Sequence, residues 1–168
     1  MKILGFYLGS HDSNAIIYND ETSEIKYLKS ERWLGVKHHH ANLNWVNQFM
    51  SKHSFVPDVI VYSDGNRNGL GKCSSPHELY KKQENEDIIN KLNQDLGTNT
   101  KEVYLIDHHF THMLSCWPLV DTDKVDYGVA IDGSGDWADR VTIVKNPTDV
   151  INKKYLEAGL KTRSIRIT

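Results

Sequence analysis

Two short runs, Asp58-Val59-Ile60-Val61-Tyr62 and Val103-Tyr104-Leu105-Ile106, constrain the fold more than anything else in the chain. Both are apolar through their centres. A strand apolar on both faces must be covered on both faces, as in a parallel sheet within an α/β layer. Each run follows a segment with helical periodicity. Asn42 to His53 places Leu43, Val46, Phe49 and Met50 on one stripe. Pro76 to Leu96 reads as a second helix, with Leu79, Ile88, Ile89, Leu92 and Leu96 as its apolar face and Gly97 as its stop.

Ahead of these lie three strand candidates: Lys2 to Leu8, Ala15 to Tyr18, and Ile25 to Leu28 continuing toward Ser30. Polar turns, Gly9 to Asn14 and Asn19 to Ser23, join them, so an antiparallel meander is expected. The order βββαβαβα predicts an α/β mixed five-stranded sheet covered by helices. That is the order of the ribonuclease H-like subdomain of actin-like ATPases. After Pro118 to Lys124 the pattern restarts. Tyr127 to Ile131 is a strand, Asp132 to Asp136 a turn, and Arg140 to Val144 a strand. This predicts a first lobe over 1–120 and the opening of a second copy over 125–168, truncated after a polar tail. A complete small domain with a terminal hairpin is the rival reading.

Between the last apolar run and the next helix stands Asp107-His108-His109-Phe110-Thr111-His112. If the helix starts near Asp107, His108 and His112 fall at i and i+4 on one face. Neutral imidazole is the commonest side-chain metal ligand, and two rings at that spacing can share an ion. Two ligands alone make no strong site, and a chain with nine histidines clusters some by chance. Asp107 has three readings: a carboxylate ligand, a helix N-cap, or an acceptor that orients a ring.

Composition narrows the classes. A net charge of −2 leaves no basic field for general nucleic-acid binding. No apolar run approaches the roughly 20 residues that span a bilayer, and a cytoplasmic protein is expected. Cys73 and Cys116 match no paired disulfide or metal pattern. Two turns offer ligand contacts. Ser10, His11, Asp12, Ser13 and Asn14 form a polar hairpin or an oxyanion cradle. Asp132, Gly133, Ser134 and Gly135 have the same two readings, with glycines that permit close backbone approach. Arg32 and Lys37 are cations for a phosphate or carboxylate, or else part of a solvated loop after the third strand.

Four motifs in order resemble the carbamoyltransferase family of nodulation and antibiotic-biosynthesis enzymes. They are Ile3-Leu4-Gly5 through His11-Asp12-Ser13-Asn14-Ala15, then Glu31-Arg32-Trp33 with Lys37-His38, then His108-His109-Phe110-Thr111-His112, and Ile131-Asp132-Gly133-Ser134-Gly135-Asp136-Trp137. Met113 stands where the family's third motif has Ala. The resemblance spans about residues 2 to 145.

It implies a two-lobed actin-like domain that transfers a carbamoyl group from carbamoyl-adenylate to an acceptor hydroxyl. Carbamoyl phosphate and ATP supply the adenylate in a separate YrdC-like domain. It further implies a divalent metal, usually iron, held by His108 and His112 with an Asp from the later lobe. That Asp is expected beyond Thr168, in a complementing C-terminal lobe. His11 or His109 would take the hydroxyl proton. Ser10, Asp12, Ser13, Arg32, Lys37, Asp132, Gly133, Ser134 and Gly135 would contact the nucleotide. Weak or absent stand-alone activity follows. The alternatives are a non-catalytic nucleotide- or metal-binding fragment that needs a partner lobe, and a sugar-kinase-like ATPase.

Overall fold

Register explains the core of the first sheet. The computed structural model describes residues 1–9, 12–37, 39–63, 69–71, 79–121, 124–132 and 140–148, and the backbone of 164–167. Strands β1 (Lys2–Tyr7), β2 (Asn14–Asn19) and β3 (Glu24–Lys29) form the expected antiparallel meander. Strand β4 (Val59–Ser63) runs parallel to β1, and β6 (Glu102–Ile106) parallel to β4. Side chains alternate across a strand, so residues in register share a face. Two rows result, Ile17–Leu4–Ile60–Val103 and Ala15–Phe6–Tyr62–Leu105, and all eight side chains are buried. Phe6 and Tyr62 stack within the second row, with ring centroids 5.7 Å apart.

The sheet is α/β and mixed, with the order β3-β2-β1-β4-β6-β5. It has six strands where five were expected. The sixth is β5 (Tyr80–Lys82), which falls inside the span read as one helix from Pro76. The helix found there, α3 (Glu86–Leu96), starts ten residues later than Pro76. The Asn85 side chain caps it, accepting from the Asp87 and Ile88 N–H groups, and Glu86 and Asp87 follow in the first turn. Strand pairing wins over the helical pattern before Asn85. The Gln83 N–H donates to the Val103 carbonyl, and the buried Gln83 amide donates to the Tyr62 hydroxyl at 2.8 Å. Leu79 therefore belongs to no helix face. Gly97 ends α3 as expected, at a φ of 66° that suits glycine.

Helix α2 (Leu43–Lys52) begins at its Asn42 cap and buries the expected stripe, with Trp45 added. It packs on β2 and on α3. A short helix, α1 (Ser30–Leu34), replaces the loop expected after β3. The opposite face of the sheet is more open, with Ile25 and Tyr27 well exposed.

The chain forms two compact units, Met1–Lys72 with Lys81–Leu105, and Cys73–Tyr80 with Ile106–Thr168. Helix α4 (His108–Cys116) therefore goes with the second unit. That unit holds a three-stranded antiparallel sheet of β7 (Tyr127–Ile131), β8 (Val141–Lys145) and β9 (Ser164–Ile167). β9 lies within the polar tail that the sequence pattern reads as a truncated end, with a terminal hairpin as its rival. No helix among the described residues is long and apolar enough to cross a membrane.

Asn85→Ala removes the acceptor for two amide groups at the start of α3. We expect a loss of about 1 kcal/mol of unfolding free energy in urea titrations at an unchanged slope, with Asn85→Ser recovering most of it.

Candidate metal centre

The second unit is organised around α4. Its first turn is locked by Asp107, whose carboxylate accepts from the Phe110 N–H at 3.0 Å while the residue is fully buried. Asp107 thus serves as the helix cap, one of its three readings. The Asp107 N–H donates to the Leu79 carbonyl. One face of α4 then turns inward. Phe110 and Met113 form a core cluster with Leu79, Ala130 and Val144. Gly128 permits the close approach of helix to strand, because a Cβ there would stand 2.9 Å from the Met113 sulfur.

The other face presents the histidine pair. His108 and His112 lie one turn apart, with ring centroids 4.7 Å apart and planes at 86°. Their Nε2 atoms are 3.2 Å apart. A third donor joins them. Asp132 Oδ2 is 2.9 Å from His108 Nε2 and 3.3 Å from His112 Nε2. Asp132 sits one residue past β7, and its N–H donates to the Arg140 carbonyl at 3.0 Å, carrying the hairpin ladder one step further. The carboxylate is thereby fixed at a strand end opposite the helix.

The triangle has the dimensions of a ligand set. Imidazole nitrogens and carboxylate oxygens bound to one first-row ion at about 2.0–2.2 Å stand roughly 3 Å from one another. Proton placement points the same way. With the carboxylate ionised, protonating both Nε2 atoms sets two donors face to face, and protonating one leaves the other nitrogen's lone pair facing an oxygen. A shared cation relieves every such arrangement. Two His and one carboxylate could hold a metal ion here. Side-chain exposure rises from 11% at His108 through 33% at Asp132 to 51% at His112, so one side of the triangle is open to solvent.

His109 does not join the triangle. It is fully buried, with Nδ1 2.7 Å from the hydroxyl of the fully buried Thr142 on β8. In the first unit, Ser13 is also buried and structurally engaged. Its hydroxyl donates to the Gly9 carbonyl at 3.1 Å and accepts from the Ala41 N–H at 3.3 Å. Asp12 has a φ of 60° and pairs with Lys29. Its hydrogen bond holds the Lys29 ammonium above its ordinary pKa range. Arg32, in α1, and Lys37 are exposed. Ser10, His11, Gly133, Ser134 and Gly135 lie outside the described residues.

Sequence reasoning placed Asp132 in a ligand-contacting turn and looked for the metal's carboxylate beyond the chain. No local spacing links residue 132 to residues 108 and 112. Only the packing of α4 against the β7–β8 hairpin brings them together. No protein-family model matches the chain, and no curated protein matches it.

Asp107→Ala removes the buried cap of α4. We expect about 1–2 kcal/mol of destabilisation by chemical denaturation, partly restored by Asp107→Ser, which keeps a short capping oxygen.

Proposed function

We propose that this chain is the N-terminal portion of an O-carbamoyltransferase with a ribonuclease H-like first lobe, and that His108, His112 and Asp132 are its metal ligands. The convergence of those three side chains carries the reading. The topology supports it: an antiparallel meander is extended by two parallel strands, each reached through a helix. The second antiparallel meander, β7-β8-β9, supports the reading of a second copy opening after the first.

In this reading the His108–His112–Asp132 set holds a divalent ion, with iron first because two His and one carboxylate on one side suit ferrous iron. The ion, when bound, supplies a Lewis acid that polarises the carbonyl oxygen or anchors the phosphate of the donor. Asp132 contributes the set's one negative charge, and α4 keeps the two rings a turn apart. The acceptor hydroxyl attacks the carbamoyl carbon of carbamoyl-adenylate, AMP leaves, and a base takes the hydroxyl proton. His11 is the proposed base, with His109, buried against Thr142, as the alternative. Arg32, Lys37 and the turns at 10–14 and 132–135 would contact the nucleotide. A complementing lobe and a YrdC-like domain complete the reaction.

A second reading, a metal-binding module without transfer activity of its own, is favoured by one observation. All three donor atoms lie within a single compact unit.

Anaerobic titration with Fe(II) tests the common ground. One ion per chain is expected, and His108→Ala, His112→Ala and Asp132→Ala should each weaken binding about tenfold or more. A chain that takes no ion overturns both readings. Turnover with ATP, carbamoyl phosphate and a panel of alcohols then separates them. The 168-residue chain should give little product alone and gain activity with its complementing lobe and YrdC-like domain. Robust product from the chain alone overturns the need for a partner. Nucleotide turnover indifferent to carbamoyl phosphate points to the sugar-kinase-like alternative.

A further inference from the structure

Helix α4 faces two ways. His108 and His112 project on one side, and His109, about 100° around the helix from His108, projects into the interior. There its Nδ1 meets the Thr142 hydroxyl at 2.7 Å, and both residues are fully buried. Thr142 is paired in register with Ala130, two residues before Asp132. A buried polar contact away from the donor triangle thus ties the helix that bears both imidazoles to the hairpin that bears the carboxylate. The remaining contacts of α4 with this sheet include Phe110 and Met113 against Ala130 and Val144. Those apolar contacts hold the helix down but are non-directional, and they tolerate sliding. The His109–Thr142 bond is directional and helps fix where along the hairpin the helix sits.

We propose that His109 and Thr142 are positioning residues, whose bond sets the spacing between the His108–His112 pair and Asp132. The inference rests on the metal reading above and goes beyond it, because neither residue supplies one of the three donor atoms. Sites of this kind hold their geometry to within about 0.5 Å only when a supporting shell locks the bearing elements. Removing the hydroxyl frees α4 to shift along the hairpin and opens the distances from Asp132 to the two Nε2 atoms.

The test uses Co(II), whose visible absorption reports the ligand set and its geometry. The wild-type chain, Thr142→Ser, Thr142→Val and the double variant His109→Leu/Thr142→Val are titrated with Co(II), and their folding is followed by circular dichroism without metal. Thr142→Ser keeps the hydroxyl and should bind within about twofold of wild type. Thr142→Val should bind about 10–100-fold more weakly, with an altered Co(II) spectrum, the scale usual for loss of an outer-shell partner. If Thr142→Val fails to fold, the double variant decides. It replaces both partners of this bond with apolar groups, yet it should still bind weakly with an altered spectrum. A folded Thr142→Val or double variant with wild-type affinity and spectrum overturns the proposal while leaving the metal reading intact. A wild-type chain that binds no Co(II) removes the metal reading and this inference with it.

Discussion

The close approach of α4 to the β7–β8 hairpin is the contact on which the chemistry of this chain depends. Glycine at 128 leaves room for the Met113 sulfur. Leu79, Phe110, Ala130 and Val144 close around it as a small dry core. Burying a side chain the size of Phe110 stabilises by roughly 1.5–3 kcal/mol, so the helix is held without help from its outer face. The other face is then left to carry the exposed His112 and the nearly buried His108, whose burial would be costly without polar partners such as Asp132. Packing on one side of the helix makes ligand geometry available on the other.

The Asp107 cap and the β7–β8 ladder prepare the two sides of that contact. Asp107 satisfies the Phe110 amide and defines where the helix begins, which decides the direction of each imidazole. The ladder extends past β7 through the Asp132 amide, so the carboxylate is held by backbone pairing and not by a free loop. A site built on a capped helix and a paired strand end keeps its shape at little entropic cost on binding. The exposure gradient across the triangle leaves an approach from solvent through His112.

The first unit shows a different economy. Its mixed sheet buries one face through two rows in strict register. The turn after β1 is braced by Ser13 and by the Asp12–Lys29 pair. Those residues are readable as ligand contacts, yet Ser13 spends its hydroxyl on two backbone groups. A polar hairpin in a tight α/β sheet has its own hydrogen-bonding demands, and these are met before any ligand arrives.

Much was legible without coordinates, because local patterns have local causes. Alternation and apolar runs gave seven of the nine strands among the described residues to within a residue or two, and Asn42, Gly97 and the apolar stripe gave α2 and the end of α3. The i, i+4 spacing put His108 and His112 together because a helix turns once in about 3.6 residues. Three other features rest on contacts between segments distant in the chain. Strand pairing against Val103 converted residues 80–82 from helix to strand. Core packing drew His109 inward to Thr142, 33 residues away. The hairpin's placement over α4 brought Asp132, 24 residues from His108, to complete the set of donors. Periodicity reports which face a side chain occupies, whereas the partner that face will meet is decided only when the chain closes on itself.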